Sequence, residues 1–298
     1  MTNFRHSSPA VLPDDPLKKR SQLFDIWDRL KQNKLAMVGM VIVILLVVCA
    51  VFADWIAPYN INEQNYPERF LYPSLAHPLG TDNYGRDILS RIIYGGRISL
   101  LVSLMAVGCS VIVGGLIGAI SGYFGGKVDT VIMRLTDVLM AIPGTLLAIC
   151  VSSMLGSGVW QTAVAVAVGG IAPSCRMMRA TALSIRGEEY IEAARACGSR
   201  NIRVILSHVI PNCLAPIIVD CTLRLGGNIM MISSLSFIGL GVQPPTPEWG
   251  SMLNSGREFI REFYPLITFP GLAIMLTMFG FNMFGDGLRD AMDPKLKE

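Results

Sequence analysis

The sequence predicts an all-α, polytopic membrane protein that crosses a bilayer six times with both termini in the cytoplasm. Three observations carry that prediction. Of 298 residues, 52% are hydrophobic and only 16% charged, with a mean hydropathy of +0.49, which leaves too little polar side chain to coat a water-facing surface. The apolar residues gather into runs close to the ~20 residues that a helix needs to cross ~30 Å of hydrocarbon. The lysines and arginines concentrate in segments that this threading places on one side.

In chain order, residues 1–34 form a polar cytoplasmic lead, and the uncharged run Leu35 to Ala53 sets a first span over 35–56. The polar lead and the absence of a small-x-small site after the run predict a retained anchor rather than a signal peptide. Residues 57–97 follow on the outer side, and the second span, Ile98 to Phe124, is uncharged. Val138 to Leu155 reads as a third span that ends at Gly156-Ser157-Gly158, and Trp160 to Pro173 restarts as a fourth, running towards Met178. Leu214 to Ile238 contains Asp220 and Arg224, and Leu266 to Phe284 is uncharged. Five helices over 98–284 therefore form a core with an inner loop at 176–213, an outer loop at 239–265 and an inner tail at 285–298. Of the 25 Lys and Arg, 18 then lie inside.

Several function classes are excluded as expectations. Net charge is only +3, too balanced for a nucleic-acid binder. There is no G-x-x-x-x-G-K-[ST], HExxH or G-x-S-x-G, the three histidines lie in different segments, and the seven cysteines form no CxxC pair. No catalytic residue, metal site or cofactor is expected on this chain.

The inner loop holds RGEEYIEAARACGSRNIRVILSHVIPN. Glu188 to Cys197 combines strong helix formers with acids at the start, where they oppose the positive end of the helix dipole, and Gly198 stands where a helix stops. An amphipathic helix on the membrane face is expected, and two uses remain open. It is either a surface helix that snorkels its arginines to membrane lipid or a docking helix for a partner.

Glu192-Ala193-Ala194, three residues, Gly198 and a closing Ile210-Pro211 resemble the EAA loop of binding-protein-dependent ABC import permeases. His208 in HVIPN departs from the broad pattern and resembles the peptide and nickel branch. LGTDNYGRDILSRIIYGGRISL, GYFGGKVDTVIMRLTDVLMAIPG, SFIGLGVQPPTPEWGSML and FNMFGDGLRDAMDPK look like the C-type permease subunit of dipeptide and oligopeptide importers. The resemblance implies a type I ABC importer permease fold in the bacterial inner membrane. It also implies a second homologous permease, an extracytoplasmic solute-binding protein and two ATP-binding subunits, which would hold the ATP and magnesium. Glu192, Ala193, Ala194 and Gly198 would couple to the ATPase. An ion-driven secondary transporter or channel working alone would call for inverted repeats and several buried ionisable residues, and the spans carry one such pair.

Other motifs have paired readings. Ser110, Gly114, Gly118 and Gly122 leave one helix face without bulk, ready for another span of this chain or of a partner. Asp220 and Arg224, one turn apart, either line a translocation path or pair structurally. Pro244, Pro245, Glu248 and Trp249 suit an outer lip for docking the binding protein or an interfacial anchor. Asp82, Arg86 and Asp87 read mainly as turn and capping residues. Gly285-Asp286-Gly287 with Asp293-Pro294 reads as the stop of the last span.

Overall fold

A computed structural model describes residues 22–292, and among them every regular element is helical. Helix α1 (Gln22–Gln32) is joined to α2 (Lys34–Val51) by Asn33, whose side-chain oxygen accepts from the N–H of Leu35 (3.1 Å) and Ala36 (3.2 Å) and so caps α2. A short turn, α3 (Ala53–Ile56), follows. Arg97 closes the C-terminal end of α2 by donating to the carbonyls of Ala50 (2.7 Å) and Val51 (2.9 Å).

Helix α4 (Ile88–Phe124) begins ten residues before the expected span. Its 37 residues make it roughly 55 Å long, more than a bilayer's hydrocarbon thickness. Charges limit a span but not a helix: buried Arg91 donates to the carbonyl of Ile61 (3.0 Å) and Arg97 pairs with Asp54 (2.9 Å), so the helix continues with both charges partnered. Asp87 starts it, accepting from the N–H and hydroxyl of Ser90 (both 2.7 Å).

The expected third span is broken. Helix α5 (Gly126–Ala141) and α6 (Gly144–Leu155) meet at 85°. Proline lacks the N–H to continue a helix and disfavours helical geometry in the residue before it, and Ile142 before Pro143 is extended (ψ 125°). Helix α7 (Val159–Ile185) carries the expected fourth span onward past Met178.

Beyond it come α8 (Glu189–Ala196), α9 (Asn201–Val204), a π-helical turn (Ile205–Val209) and α10 (Ile210–Phe237). Helix α11 (Trp249–Gly256) sits in the outer segment, and α12 (Pro265–Met292) closes the described chain. Four helical runs, α2, α4, Asn201–Phe237 and α12, are long and apolar enough to cross a membrane, and the bent α5–α6 pair would make a fifth.

Bare backbone brings these helices together. A Cβ on Gly114 or Gly118 would stand 2.3 Å from the carbonyl oxygen of Ile171 or Cys175, and one on Gly122 would stand 2.7 Å from the Cβ of Ala182. The small-residue face of α4 is therefore filled by α7 of the same chain.

Gly285 and Gly287 do not stop the last helix as the sequence suggested, because α12 runs on to Met292. A Cβ on Gly285 would lie 2.6 Å from Leu223 of α10, and one on Gly287 only 2.0 Å from Ala36 of α2. These glycines exist for close packing. Asp293 and Pro294 lie outside the described residues.

Candidate functional site

Helix α8 is built as the sequence pattern requires. Glu188 is extended (φ −70°, ψ 143°) and its carbonyl accepts from Ile191 (2.9 Å) and Glu192 (3.2 Å), while Glu189 and Glu192 fill the first turn and Arg195 the last. Gly198 has φ +74°, and the N–H groups of Gly198 and Ser199 return to the carbonyls of Arg195 (2.9 Å) and Ala194 (3.2 Å). A left-handed residue at this place lets the chain satisfy carbonyls that a helix end would otherwise leave bare.

One face of α8 is bound to the body. Ile191 is fully buried in an apolar cluster with Tyr123, Met178, Ala182, Val204, Ile205 and Cys213, and Ala194 packs on its edge. The guanidinium of Arg195 lies 4.5 Å from the centre of the Tyr123 ring, and its Nε donates to the tyrosine oxygen (3.2 Å). The Tyr123 hydroxyl donates in turn to Asn201 Oδ1 at 2.9 Å. Three elements thus meet at one phenol: the inner end of α4, the end of α8 and the start of α9.

The other face is open. Glu188, Glu189, Glu192, Ala193, Ala196, Cys197 and Gly198 are exposed, and nearby Tyr190, Ile202 and Leu206 are 41%, 58% and 51% exposed. Desolvation first, and the Glu188 carboxylate second, raise the pKa of the Tyr190 phenol. Among the predicted residues, Glu192, Ala193 and Gly198 face outward, whereas Ala194 faces the body.

The basic side chains around this platform hold helix ends together. Arg179 of α7 grips Asp129 of α5, with Nη2 to Oδ2 at 2.6 Å, and Ser121 of α4 donates to the same carboxylate at 2.6 Å. Arg176 pairs with Asp137. None of these partners, nor Tyr123 or Asn201, was singled out by sequence reasoning. A charged residue at a span end is a weak signal, but nothing local says which distant residue it will meet.

Asp220 and Arg224 do pair, Nε to Oδ2 at 2.7 Å. Arg224 also donates from Nη1 to the carbonyl of Gly170 (3.1 Å) and the hydroxyl of Ser174 (3.0 Å), which ties α10 to α7. The Asp220 side chain remains 27% exposed.

The outer segment divides the four residues named there. Pro244 and Pro245 are exposed, while Glu248 and Trp249 are buried, so the latter two offer no docking surface. Glu248 caps α11 by accepting from the N–H of Gly250 and Ser251 (both 2.9 Å), and it accepts hydroxyl bonds from Ser99 of α4 (3.2 Å) and Ser233 of α10 (3.4 Å). A buried carboxylate is tolerable here because four donors surround it. Trp249 Nε1 donates to the carbonyl of Ile92 (2.9 Å), and its ring fills a slot over Gly95 and Gly96, where a Cβ would come within 3.0 and 2.9 Å. Asp82 and Arg86 form the expected turn, with Arg86 Nε to Asp82 Oδ2 at 2.6 Å.

Known proteins share both the sequence and the fold. Residues 114–298 match the family described as the binding-protein-dependent transport system inner membrane component, and residues 21–78 match the N-terminal transmembrane domain of oligopeptide transport permease C. The chain is 43% identical to the dipeptide transport system permease protein DppC of Alkalihalophilus pseudofirmus, covering 96% of this chain and 94% of that one. It is 41% identical to the di/tripeptide transport system permease protein DppC of Pseudomonas aeruginosa, covering 99% of each. It is also 43% identical, end to end, to the glutathione transport system permease protein GsiD of Escherichia coli O157:H7. A chain from an inward-facing structure of the MetNI methionine ABC transporter superposes with a TM-score of 0.54 at 16% identity, covering 67% of this chain and 96% of that one, a likeness of fold.

Proposed function

Because the chain belongs to the family of binding-protein-dependent transport system inner membrane components, we propose that it is one permease subunit of an ATP-driven importer for short peptides. In this reading two separate subunits bind ATP and magnesium, a second homologous permease completes the pathway, and an extracytoplasmic solute-binding protein delivers the cargo. The chain crosses the bacterial inner membrane six times, with α7 as a crossing beside the four long spans and the bent pair, and both termini in the cytoplasm. Dipeptides, tripeptides and glutathione, which name the relatives' substrates, share one amide-rich zwitterionic chemistry, and that class is assigned to this chain.

The α8 platform is the observation that carries the reading. A helix with one exposed face and three ties to its own chain suits force transfer. A push on Glu192, Ala193 and the α8 C-terminus passes through Ile191 into the inner cluster, and through Arg195 and Tyr123 into α4 and α9. Helix α9 runs without interruption through the π-helical turn into α10, so the same movement reaches the span that carries Asp220 and Arg224. Packed helices shift as rigid bodies, which converts a small displacement inside into a change of access outside.

An ion-driven carrier finds little support in the same region, since Arg224 is engaged by Asp220, Gly170 and Ser174. The test is solute-stimulated ATP hydrolysis by the reconstituted transporter. Ala193→Trp, on the open face, should lower stimulated turnover at least tenfold while assembly is unchanged. Wild-type stimulation in an assembled Ala193→Trp complex would refute the assignment.

A further inference from the structure

Helix α1 has a face that the chain itself does not cover. On one side Ile26 and Leu30 pack against Ala36, Met40, Phe284 and Ala291, with Leu30 only 4% exposed. Next to that side, Phe24 is 65% and Trp27 38% exposed. The Lys31 ammonium lies 4.9 Å from the centre of the Trp27 ring, so positions 24, 27 and 31 form a single strip one helical face wide. Asp25 and Asp28 are exposed, and Arg29 is half-buried on the other flank of the helix.

Two features say what covers this strip. The first is continuity, because Asn33 joins α1 directly to α2, whose Leu35 and Val38 are 64% and 51% exposed along a span without a charged residue after Lys34. A strip joined to the end of a lipid-facing helix sits where hydrocarbon meets headgroups, the zone that an amphipathic indole and the long stem of lysine both favour. The second is charge. Lys31 and Lys34 are exposed at the junction, and Lys18, Lys19 and Arg20 come just before α1 in the sequence. Lys31 and Lys34, beside an apolar strip, fit a surface of anionic lipid.

We propose that α1 is an interfacial helix that binds anionic headgroups of the inner leaflet through Phe24, Trp27, Lys31 and Lys34. The inner side in this statement rests on the orientation given under Proposed function. The helix would anchor the first span at a fixed depth and make the transporter sensitive to the lipid around it.

The assembled transporter in nanodiscs, with anionic or zwitterionic lipids brominated near the top of the acyl chain, tests this directly. Comparing the wild type with Trp27→Phe isolates the fluorescence of Trp27. Expected are strong quenching by the brominated anionic lipid, weaker quenching by the zwitterionic one, and little by aqueous iodide. Lys31→Gln or Lys34→Gln should weaken the anionic preference about fivefold each. Quenching by iodide in place of lipid, shielding from both quenchers, or equal quenching by the two lipids would each overturn the proposal. In sealed proteoliposomes, a cysteine at Gln32, in a background without other exposed cysteines, should be labelled by an impermeant maleimide only from the ATP-binding side. Labelling from the other side would overturn the inner-leaflet assignment and the orientation with it, whatever the quenching shows.

Discussion

Tyr123 is a single residue whose hydroxyl accepts from Arg195 and donates to Asn201, partners 72 and 78 positions away in the chain. Tyr123→Phe keeps the ring beneath the guanidinium and removes both hydrogen bonds, each worth ~1 kcal/mol. It should leave folding intact while solute-stimulated ATP hydrolysis falls several-fold relative to the basal rate. An unchanged ratio of stimulated to basal rate would remove the phenol from the coupling route. At the outer end, Glu248→Leu strips a cap and leaves buried Ser99, Ser233 and two backbone N–H groups without an acceptor. A lost cap alone costs ~1 kcal/mol, so thermal unfolding in detergent should shift down by several degrees, with Glu248→Gln intermediate. The sequence pattern pointed to Glu192, Ala193 and Gly198 because their signals are local: propensity, charge at a helix end, and a left-handed stop. It did not point to Tyr123, Asn201 or Asp129, and it took Glu248 and Trp249 for surface residues. Whether a polar side chain is buried depends on which distant helix arrives beside it.

At the scale of elements, the long unbroken apolar runs of α2, α4, α10 and α12 were legible because hydrocarbon admits few charges. Helix ends were less so, since α4 begins at Ile88, α7 runs to Ile185 and α12 to Met292, each continuing as helix past its apolar run through charged residues. Pro143 lies inside the run read as one span, and it separates α5 from α6. Glycine carried two meanings that local sequence cannot separate. Gly198 ends a helix through its positive φ, whereas Gly118 and Gly287 sit inside helices because another backbone needs their space. Gly118→Val would drive its side chain into Cys175 of α7, at a cost of roughly 1–3 kcal/mol or more where backbone has to move. The expected result is loss of a monodisperse peak on size-exclusion chromatography. The same change at Gly108, which has open space around it, should be tolerated.

As a whole molecule, the chain ties its helices together in two places. Pairs such as Arg179–Asp129, Arg176–Asp137 and Arg195 with Tyr123 join α4, α5, α7 and α8, while the Glu248 and Trp249 contacts join α11 to α4 and α10. The flank formed by α5 and α6 stays apolar and bare, with Leu135, Val138, Leu146 and Met154 more than half exposed, and suits lipid or the second permease. If α8 receives movement from an ATP-binding subunit, as proposed, the two must touch. Cross-linking tests it most directly: with Ala193→Cys in an assembled transporter whose exposed native cysteines, Cys197 among them, are replaced, a short maleimide-benzophenone attached at that thiol should join this chain to the ATP-binding subunit on illumination, with a yield that changes when ATP binds. An intact complex in which that cysteine reacts freely yet never links to the ATP-binding subunit would contradict the account.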